Sequence, residues 1–350
     1  MKLTPLFLIG ALAAVNLLGC SNQSDSGSEA VPSQETTVLR FSHFYPATSD
    51  INEQIFEPWA KKIEADSGGR LKVEVYPSAT LSKADTAYES AVKGTIDIGS
   101  QVQGYTSGRF PLSQIAELPG LSNSSTQTGC MLQTLYENGT ISSEYEDSHL
   151  LFMFSTGPGT LHSTNKLIKT PEDMKGMRIR RPSAVAGDII ESMGGSPVGL
   201  PANDIYTSLQ RGVVNGLSFP WEAMATFKLD ELTKYHTNMP FYSSALMETM
   251  NKDKYEGLPE DLKQVIDDNS GMALSKKVVA MWDKTYSIQL QAAIDKGDEV
   301  IDILDPLNDP DWKGPLEKGT KKYLDDVSAL GLDAYGVYEK AKEASAACKV

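Results

Sequence analysis

The sequence has little of what metal and covalent chemistry usually need. Its 350 residues include only four histidines and three cysteines, and none of them forms a His-x-x-x-His pair or the Cys and His spacing of a zinc site. The glycine and lysine spacing of a nucleotide-binding loop is absent, and so is the Gly-x-Ser-x-Gly elbow of a hydrolase. We therefore expect no catalytic residue, no metal and no cofactor, although an active site assembled from distant residues stays an alternative.

Positive charge is also scarce. Lysine and arginine number 32 against 46 aspartates and glutamates, which gives a formal net charge of -14 at pH 7. A field of this sign repels phosphate backbones, and no lysine-rich patch is interleaved with aromatic residues, so a nucleic-acid partner is not expected. The length and the ordinary apolar content predict a globular protein large enough for two domains.

Long apolar runs are missing except at the start of the chain. The one continuous run extends from Leu3 to Leu18 behind Lys2, and it predicts a signal peptide over residues 1–19 rather than a membrane span. Two leucines, a small residue and a cysteine close this run, which resembles the lipobox of bacterial lipoproteins. The resemblance implies that Cys20 receives lipid and becomes the mature N-terminus; the alternative is a signal peptide with a chance cysteine.

The segment that begins at this cysteine, residues 20–37, is rich in serine, glutamine, glutamate and aspartate and has almost no large apolar side chain. That composition is typical of a flexible tether. A lipid at one end of a tether, with no other membrane segment, predicts a periplasmic or other extracytoplasmic body that is anchored to a membrane.

Two further cysteines, Cys130 and Cys348, remain in an oxidising compartment where a disulfide is allowed. A disulfide that closes so long a loop would stabilise the protein by roughly 4–5 kcal/mol in the chain-entropy model. The alternative is two ordinary thiols, one in a helix and one in a frayed tail, and the sequence leaves both open.

Short apolar strands alternate with longer helical stretches along the body of the chain. Residues 38–41 and 71–76 are predicted strands, and apolar residues at helical spacing predict a helix over residues 51–66. A helical region of residues 258–296 opens at a proline followed by two acids and is broken at Gly271. This order indicates an α/β architecture with largely parallel sheets.

Two segments of the sequence resemble each other. Residues 88–97 and residues 206–215 each contain a tyrosine, a serine, a basic residue before a glycine, and a β-branched pair followed by Asp or Asn. Each follows a predicted strand and a proline turn, so the same unit of strand, helix and strand is predicted once in each half of the chain. Two similarly built lobes explain this pattern better than chance does.

Three arginines fall within four residues, at Arg178, Arg180 and Arg181, in a short strand that follows a predicted helix and a glycine turn. Arginine presents a planar fork of donors that grips a carboxylate at two points. In a chain as acidic as this one, the cluster predicts a site for the acid group of a small ligand. A solvated surface position or a structural salt bridge is the alternative for each of the three.

A broader resemblance rests on motifs that follow one another along the body. They are Arg40–Pro46, Ser67–Arg70, Gly94–Asp97, Tyr105–Pro111, Glu172–Arg180 and Leu209–Gly216. Together they resemble the solute-binding proteins of tripartite ATP-independent periplasmic (TRAP) transporters, of the DctP-like, dicarboxylate-binding type, here in lipoprotein form. The match runs from about residue 38 to the C-terminal helices.

The resemblance implies a two-lobed, periplasmic-binding-protein-like fold of the type II kind, with a mostly parallel sheet and flanking helices in each lobe, hinge strands and a long connecting helix. We expect lobe I in residues 38–157 and about 246–285, and lobe II in residues 158–245 and about 286–350. The family closes its lobes over an organic acid and delivers it to the small and large subunits of a membrane permease. A binding lipoprotein of an ATP-driven (ABC) importer, or an extracytoplasmic enzyme acting on a carboxylic acid, is the rival function.

The resemblance also assigns site residues. It places the ligand carboxylate on Arg180, the second arginine of the Lys-Gly-x-Arg-x-Arg motif, whereas surface or structural roles are favoured for Arg178 and Arg181. Further ligand contacts are expected where predicted strands end, at Phe44, Tyr45, Gln103, Tyr105, Phe219, Trp221 and Glu222. Core packing is the alternative for Phe219 and Trp221.

Departures from the family pattern bear on the ligand. Members that bind sialic acids resemble this chain but have an asparagine where Phe219 stands and a further arginine near Leu161. Both differences indicate a less polar ligand here, such as a monocarboxylate with an aliphatic or aromatic body. Asn215 stands where the family often has aspartate, so a negative charge at that place is not expected to matter.

Overall fold

Strands and helices alternate through residues 36–349, the part of the chain that the computed structural model describes. The strands are β1 (Thr37–Ser42), β2 (Leu71–Tyr76), β3 (Ile98–Val102), β4 (Ser148–Ser163), β5 (Arg178–Arg181), β6 (Ser196–Gly199), β7 (Gly216–Pro220), β8 (Tyr235–Asn251) and β9 (Glu299–Asp302). The helices are α1 (Glu57–Asp66), α2 (Ala87–Val92), α3 (Ser125–Glu137), α4 (Ala184–Ser192), α5 (Ala202–Gln210), α6 (Lys252–Glu256), α7 (Glu260–Asp268), α8 (Met272–Lys296), α9 (Lys313–Ala329) and α10 (Ala334–Ala347).

These strands form one sheet in the order β2-β1-β3-β8-β4-β7-β5-β6, with β9 alongside β8. Its two ends are parallel trios, β2-β1-β3 in residues 37–102 and β7-β5-β6 in residues 178–220, which we call the first block and the second block. Between them run the antiparallel strands β4 and β8, which are 16 and 17 residues long. The predicted α/β architecture is confirmed. The first and second blocks share one continuous sheet, because β4 and β8 lie between them and pair with both.

Each block contains one copy of the internal repeat. Residues 88–97 form most of α2 and the turn into β3, whereas residues 206–215 form the second half of α5 and the turn into β7. Gly94 and Gly212 have φ angles of 71° and 66°, a left-handed conformation that ends helices and that glycine adopts without steric cost. The predicted unit of strand, helix and strand therefore occurs in both blocks.

The last residue of each repeat joins neighbouring strands. An Asp97 oxygen accepts the backbone N–H of Arg40 at 2.8 Å and its side-chain Nε–H at 3.0 Å. In the second block, Asn215 Oδ1 accepts the backbone N–H of Arg178 at 2.9 Å, while the Arg178 side chain binds two backbone carbonyls instead. A neutral amide is therefore sufficient at position 215, because its oxygen accepts a backbone N–H there and does not pair with an arginine side chain.

Helices cover both faces of the sheet. Along β8, Ala245 and Met247 belong to a hydrophobic core with residues of α3, α4, α9 and α10, while Leu246 between them belongs to a core with residues of α1, α5 and α8. The predicted helical region of residues 258–296 is present as α7 and α8, and the expected break occurs at Gly271, whose φ is 70°. Helix α8 packs against β4, α3 and β9.

A disulfide joins Cys130, on α3, to Cys348, directly after α10, with their Cα atoms 5.8 Å apart. Beside it, Gln127 Nε2 donates a hydrogen bond to Ser345 Oγ at 3.0 Å. The C-terminal helix is therefore fixed along α3 by one covalent bond and by side-chain contacts.

Helices that could cross a membrane are not found within residues 36–349, because none of them is both long enough and apolar enough. The predicted signal peptide, the lipid-modified Cys20 and nearly all of the tether lie outside the described residues.

Candidate functional site

A cavity lies where the two blocks face each other across β4 and β8. Its walls come from residues at or just after the carboxyl ends of the parallel strands β1, β3, β5 and β7, together with the middle of β4, β8 and α8. Ligands of open α/β sheets bind at such carboxyl ends. The cavity is concave and mostly apolar, with a few polar groups in its wall, which is typical of a site for a small molecule.

Arg180 lies in the wall of this cavity and is 1% exposed. It donates from Nε to the Leu200 carbonyl at 2.8 Å, from Nη1 to the Ser218 carbonyl at 3.2 Å, and from Nη2 to the Tyr105 hydroxyl at 3.1 Å. In the described part of the chain the arginines that form ion pairs are others, and no carboxylate pairs with this one. Each Nη atom carries a second hydrogen, so the guanidinium still has donors for an anion.

Tyr105, just after β3, connects the first block to this arginine. Its hydroxyl oxygen accepts both the Arg180 Nη2–H and the backbone N–H of Ala202, at 3.0 Å, where α5 begins. Burial raises the pKa of Tyr105, and the positive charge of Arg180 partly opposes that rise, so the hydroxyl keeps its hydrogen at neutral pH. A second bond between the blocks runs from Asn203 Nδ2 to the Phe44 carbonyl at 2.9 Å.

Aromatic rings enclose the rest of the cavity. Phe44 and Tyr45 stack with their ring centres 4.2 Å apart. Phe227 meets Phe219 edge-on at 5.9 Å, and the Arg180 guanidinium carbon lies 5.3 Å from the centre of the Phe219 ring. Aromatic rings pack favourably against flat apolar ligands and tolerate a cation on their faces. The cavity therefore combines one buried cation with an apolar enclosure.

Glu222 is a second ionisable group in the cavity wall. It is 5% exposed, and its Oε1 accepts the backbone N–H of Gly157 at 2.7 Å. Burial raises the pKa of Glu222 to about 8; the Gly157 N–H opposes this rise and the charge of Asp283 adds to it. The carboxyl is thus uncharged at neutral pH, which leaves Arg180 as the buried charge that faces the cavity.

Six of the residues predicted to contact a ligand line this one cavity, and two do not. Trp221, 1% exposed, lies behind the wall, where its Nε1 donates to Asn238 Oδ1 at 3.1 Å and its ring meets His162 edge-on. Gln103 is buried after β3, and its amide makes no hydrogen bond to the rest of residues 36–349. The residues brought together are Phe44, Tyr45, Tyr105, Arg180, Phe219 and Glu222.

The other two arginines of the cluster lie outside the cavity. Arg178 is exposed, and its guanidinium binds the carbonyls of Gly212 and Val213 at 2.6 and 2.7 Å. Arg181 is half-buried against α4, where a side chain in place of Gly187 would collide with it. Burial lowers the pKa of Arg181. One arginine of the three therefore faces the site.

Buried histidines lie behind the site. The Nδ1 atoms of His162 and His236 are 2.8 Å apart, and burial lowers the pKa of both rings. Both imidazoles are therefore neutral at neutral pH, and one donates a hydrogen bond to the other. Within the region that the structure describes, no group of three or more His, Cys, Asp or Glu side chains is placed to hold a metal ion.

Several residues of the cavity wall have no sequence signal of their own. Thr156 and Ser244 lie in the middle of β4 and β8, Trp282 lies on α8, and Phe227 lies in the segment after β7. Helical spacing marks Trp282 as a residue on a buried face, but it does not tell which part of the helix meets a cavity. The middle of a long strand contains no motif at all.

Comparison with known proteins identifies the family. The chain matches the model of the DctP family, described as bacterial extracellular solute-binding protein, family 7, over residues 41–325. A solute-binding protein of Albidiferax ferrireducens is 27% identical over 250 residues, which is 66% of this chain and 71% of that protein.

Solved structures are similar over nearly the whole chain. A marine metagenome TRAP solute-binding protein specific for aromatic acid ligands, in complex with 3-hydroxybenzoate, is 34% identical and has a TM-score of 0.85 over 90% of this chain and 100% of that chain. A TRAP solute-binding protein from Rhodoferax ferrireducens T118, with copurified benzoate, is 28% identical and has a TM-score of 0.84 over 89% and 98% of the two chains. Because the family model and these structures span most of the sequence, the chain belongs to the DctP family of bacterial extracellular solute-binding proteins and is a solute-binding protein of the TRAP type.

Proposed function

We propose that this protein captures an organic acid by its carboxylate at Arg180 and delivers it to a TRAP membrane permease. The observation that supports the proposal most is a guanidinium that is 1% exposed and faces a cavity without an acidic partner from residues 36–349. A buried charge without a counter-charge is costly, and an acid anion removes that cost. No step of this function requires catalysis, metal or cofactor.

The donors around Arg180 suit a carboxylate. Nη1 and Nη2 each keep one hydrogen that no group of residues 36–349 accepts. The Tyr105 hydroxyl accepts two hydrogen bonds and keeps its own hydrogen for a third. The N-terminus of α5, at Ala202, adds a partial positive charge on the same side of the cavity. Both oxygens of a carboxylate can therefore be satisfied here.

For the body of the ligand we favour an aromatic monocarboxylate. Arg180 is the one Lys, Arg or His among the described residues that line the cavity, so a second carboxylate would be buried without a cation. The aromatic enclosure suits a ring, and two similar proteins hold 3-hydroxybenzoate and benzoate. A dicarboxylate is the competing ligand class.

Delivery to a permease requires that the cleft opens and closes, and we propose that lobes I and II move as predicted from the sequence. The β4 register shifts between Ser155 and Pro158, beside the predicted lobe boundary at residues 157 and 158. Hydrogen bonds from Arg180 to the Tyr105 hydroxyl and from Asn203 to the Phe44 carbonyl hold the blocks together over the cavity. Adjacent genes for two integral membrane subunits, rather than for an ATPase, would support the TRAP partner over an ABC importer.

The substitution Arg180→Ala tests the proposed function. A thermal-shift screen of mono- and dicarboxylates first selects the acid that binds most tightly, and calorimetry then gives its Kd. We expect the Kd of Arg180→Ala to rise by about two decades or more, because removing one partner of a buried charge pair costs about 3–5 kcal/mol.

Arg178→Ala is the matched control, because Arg178 lies in the same strand but outside the cavity. Its Kd is expected to equal that of the parent, and circular dichroism shows whether both variants are folded. A folded Arg180→Ala that binds as tightly as the parent contradicts the proposal.

We also propose that Cys20 carries the lipid that anchors the protein on the outer side of a membrane. The lipobox-like end of the apolar run and the polar tether in the sequence support this. Bacteria that express the full chain should incorporate a fatty-acid analogue into it and retain it in their membrane fraction. Cys20→Ser should lose both the label and the membrane association, and a label that survives this substitution would rule out the anchor.

A further inference from the structure

Glu222 lies in the cavity wall, just after β7, and is hydrogen-bonded to the backbone of β4. Its Oε1 accepts the Gly157 backbone N–H at 2.7 Å. A Cβ atom added to Gly157 would lie 2.9 Å from Glu222 Oε2 and 3.2 Å from the Tyr286 ring, so a larger residue at position 157 would crowd the carboxyl group. The carboxyl group therefore lies against the backbone of β4 at Gly157.

The second oxygen of this carboxyl has no partner. Glu222 is 5% exposed and lines the cavity, yet its Oε2 makes no hydrogen bond to any other atom of residues 36–349. Leaving a buried polar atom without a partner costs free energy, so such an atom in a native protein calls for an explanation, such as a water or a ligand that it binds. Because Glu222 lines the cavity, a ligand that packs against it can supply the missing partner.

The protonation of Glu222 decides what it can offer. Because burial raises its pKa to about 8, the carboxyl has a hydrogen at neutral pH. Oε1 already accepts from Gly157, so the hydrogen resides on Oε2 and that oxygen donates. The ionisable neighbours of Glu222 agree with this. The oxygens of Asp283 accept N–H groups of α3, and Tyr45 and Tyr286 are phenols whose pKa burial raises.

We propose that Glu222 recognises a hydroxyl or other oxygen substituent on the ring of an aromatic acid whose carboxylate Arg180 holds. The inference rests on the proposed function and adds a determinant of specificity to it. The two groups divide the cavity between them, because Arg180 supplies a charge for the carboxylate and Glu222 supplies a neutral donor for a neutral oxygen. A second carboxylate is disfavoured at Glu222, since the cavity wall has no further cation there.

Matched acids test the inference on the intact protein. Calorimetry with benzoate, 3-hydroxybenzoate, 4-hydroxybenzoate and isophthalate measures four dissociation constants. We expect at least one hydroxybenzoate to bind about tenfold or more tightly than benzoate, and isophthalate to bind more weakly than that hydroxybenzoate. Equal binding of benzoate and both hydroxybenzoates contradicts the role of Glu222 but leaves the proposed function standing. No binding of any of the four acids contradicts the aromatic-acid function itself.

Two substitutions separate the effect of the hydrogen bond that Glu222 donates from the effect of its side-chain shape. Glu222→Gln keeps an oxygen for Gly157 and places an N–H donor where Oε2 stood, so the ratio of the benzoate Kd to the hydroxybenzoate Kd should stay near the parent value. Glu222→Leu removes the donor at similar volume, and the same ratio should fall to about one or below. If the ratio of the two dissociation constants is unchanged in Glu222→Leu, another residue recognises the ligand hydroxyl and the inference is wrong. If Glu222→Leu does not fold, Glu222→Met, which also removes the donor and has a flexible unbranched side chain, takes its place, and the same fall of the ratio to about one is expected.

Discussion

Arg178 and Arg180 are two positions apart in β5 and therefore point to the same side of the sheet, but their surroundings differ. Arg178 is at the exposed start of the strand, beside the turn after α5. Arg180 is at its carboxyl end, where Ser218 of β7 and Tyr105 of the opposite block cover it. The role of each arginine thus depends on which residues the neighbouring strands and loops place beside its side chain.

Glu222 should make ligand affinity depend on pH. Burial raises its pKa to about 8, so the carboxyl is neutral below that pH and negative above it. Because the ligand is an anion, it binds more tightly when the Glu222 carboxyl is protonated and uncharged. We expect the Kd of a bound acid to be constant up to about pH 7 and to rise above about pH 8, by at most about tenfold per pH unit. Calorimetry across this range measures the effect.

Glu222→Gln is the control for this pH dependence, because an amide keeps the shape and does not ionise. Its Kd should not change between about pH 6 and pH 9. Glu248 is another buried acid whose pKa burial raises, and its charge acts on Tyr45 in the cavity wall. A pH dependence that persists in Glu222→Gln would point to that group and would disprove the assignment to Glu222.

At the scale of elements, the repeated unit places two different loops at one cavity. In the first block the unit ends at β3 and continues into Gln103–Tyr105, while in the second it ends at β7 and continues into Trp221–Ala223. Equivalent turns, marked by Gly94 and Gly212, start both final strands. The internal repeat in the sequence therefore predicted that two strand ends would be equivalent, but not that they would face each other.

Gly104 allows the close approach of the blocks beside the site. A Cβ atom at this position would lie 2.6 Å from the Pro182 carbonyl oxygen and 2.7 Å from Ser183 Cα. Because Tyr105 is the next residue and binds Arg180, a larger side chain at position 104 should hold the cleft open. We expect Gly104→Val to weaken ligand binding by about tenfold or more, measured by calorimetry.

The control is Gly314→Ala, since a Cβ atom on this α9 glycine meets nothing within 4 Å. Its affinity should match that of the parent. If Gly104→Val is folded and binds like the parent, the close approach at Gly104 is not needed for the closed, ligand-binding state.

At the scale of the whole molecule, the charge of the surface and that of the site are opposite. The chain has a formal net charge of -14, whereas its cavity contains a buried arginine and a neutral glutamic acid. Exposed charges are screened beyond about 8–10 Å at physiological salt. Capture of an anion therefore depends on the field inside the cavity and not on long-range attraction.

The disulfide should contribute to global stability without affecting the site. Cys130 and Cys348 are 218 positions apart in the sequence, and neither lines the cavity. We expect the double substitution of both residues by serine to lower the free energy of unfolding by about 2–5 kcal/mol and to leave the Kd unchanged. Guanidinium unfolding with and without a reductant measures this: the reductant should destabilise the parent alone, and equal stability of parent and variant would contradict the prediction.

The sequence by itself determined the architecture and supplied a candidate for the binding group. Alternating strand and helix signals, the repeat, and the glycines at helix ends act locally, so residues 71–76 and the break at Gly271 were predicted close to where they lie. These features are readable because backbone preference and apolar spacing depend on near neighbours in the chain. The choice of Arg180 among the three arginines came instead from the family resemblance, because strand alternation puts Arg178 on the same face.

Only the tertiary structure decided which side chains share the cavity. Trp221 and Phe219 are two positions apart, yet one supports the wall from behind and the other lines it, because the chain leaves the β-conformation after Pro220. Phe227 and Trp282 joined the wall without any motif. The raised pKa of Glu222 likewise arises from burial by distant elements. Packing between residues far apart in the sequence decides which side chains line the cavity and how deeply they are buried. A pattern of residues close in the sequence does not contain that information.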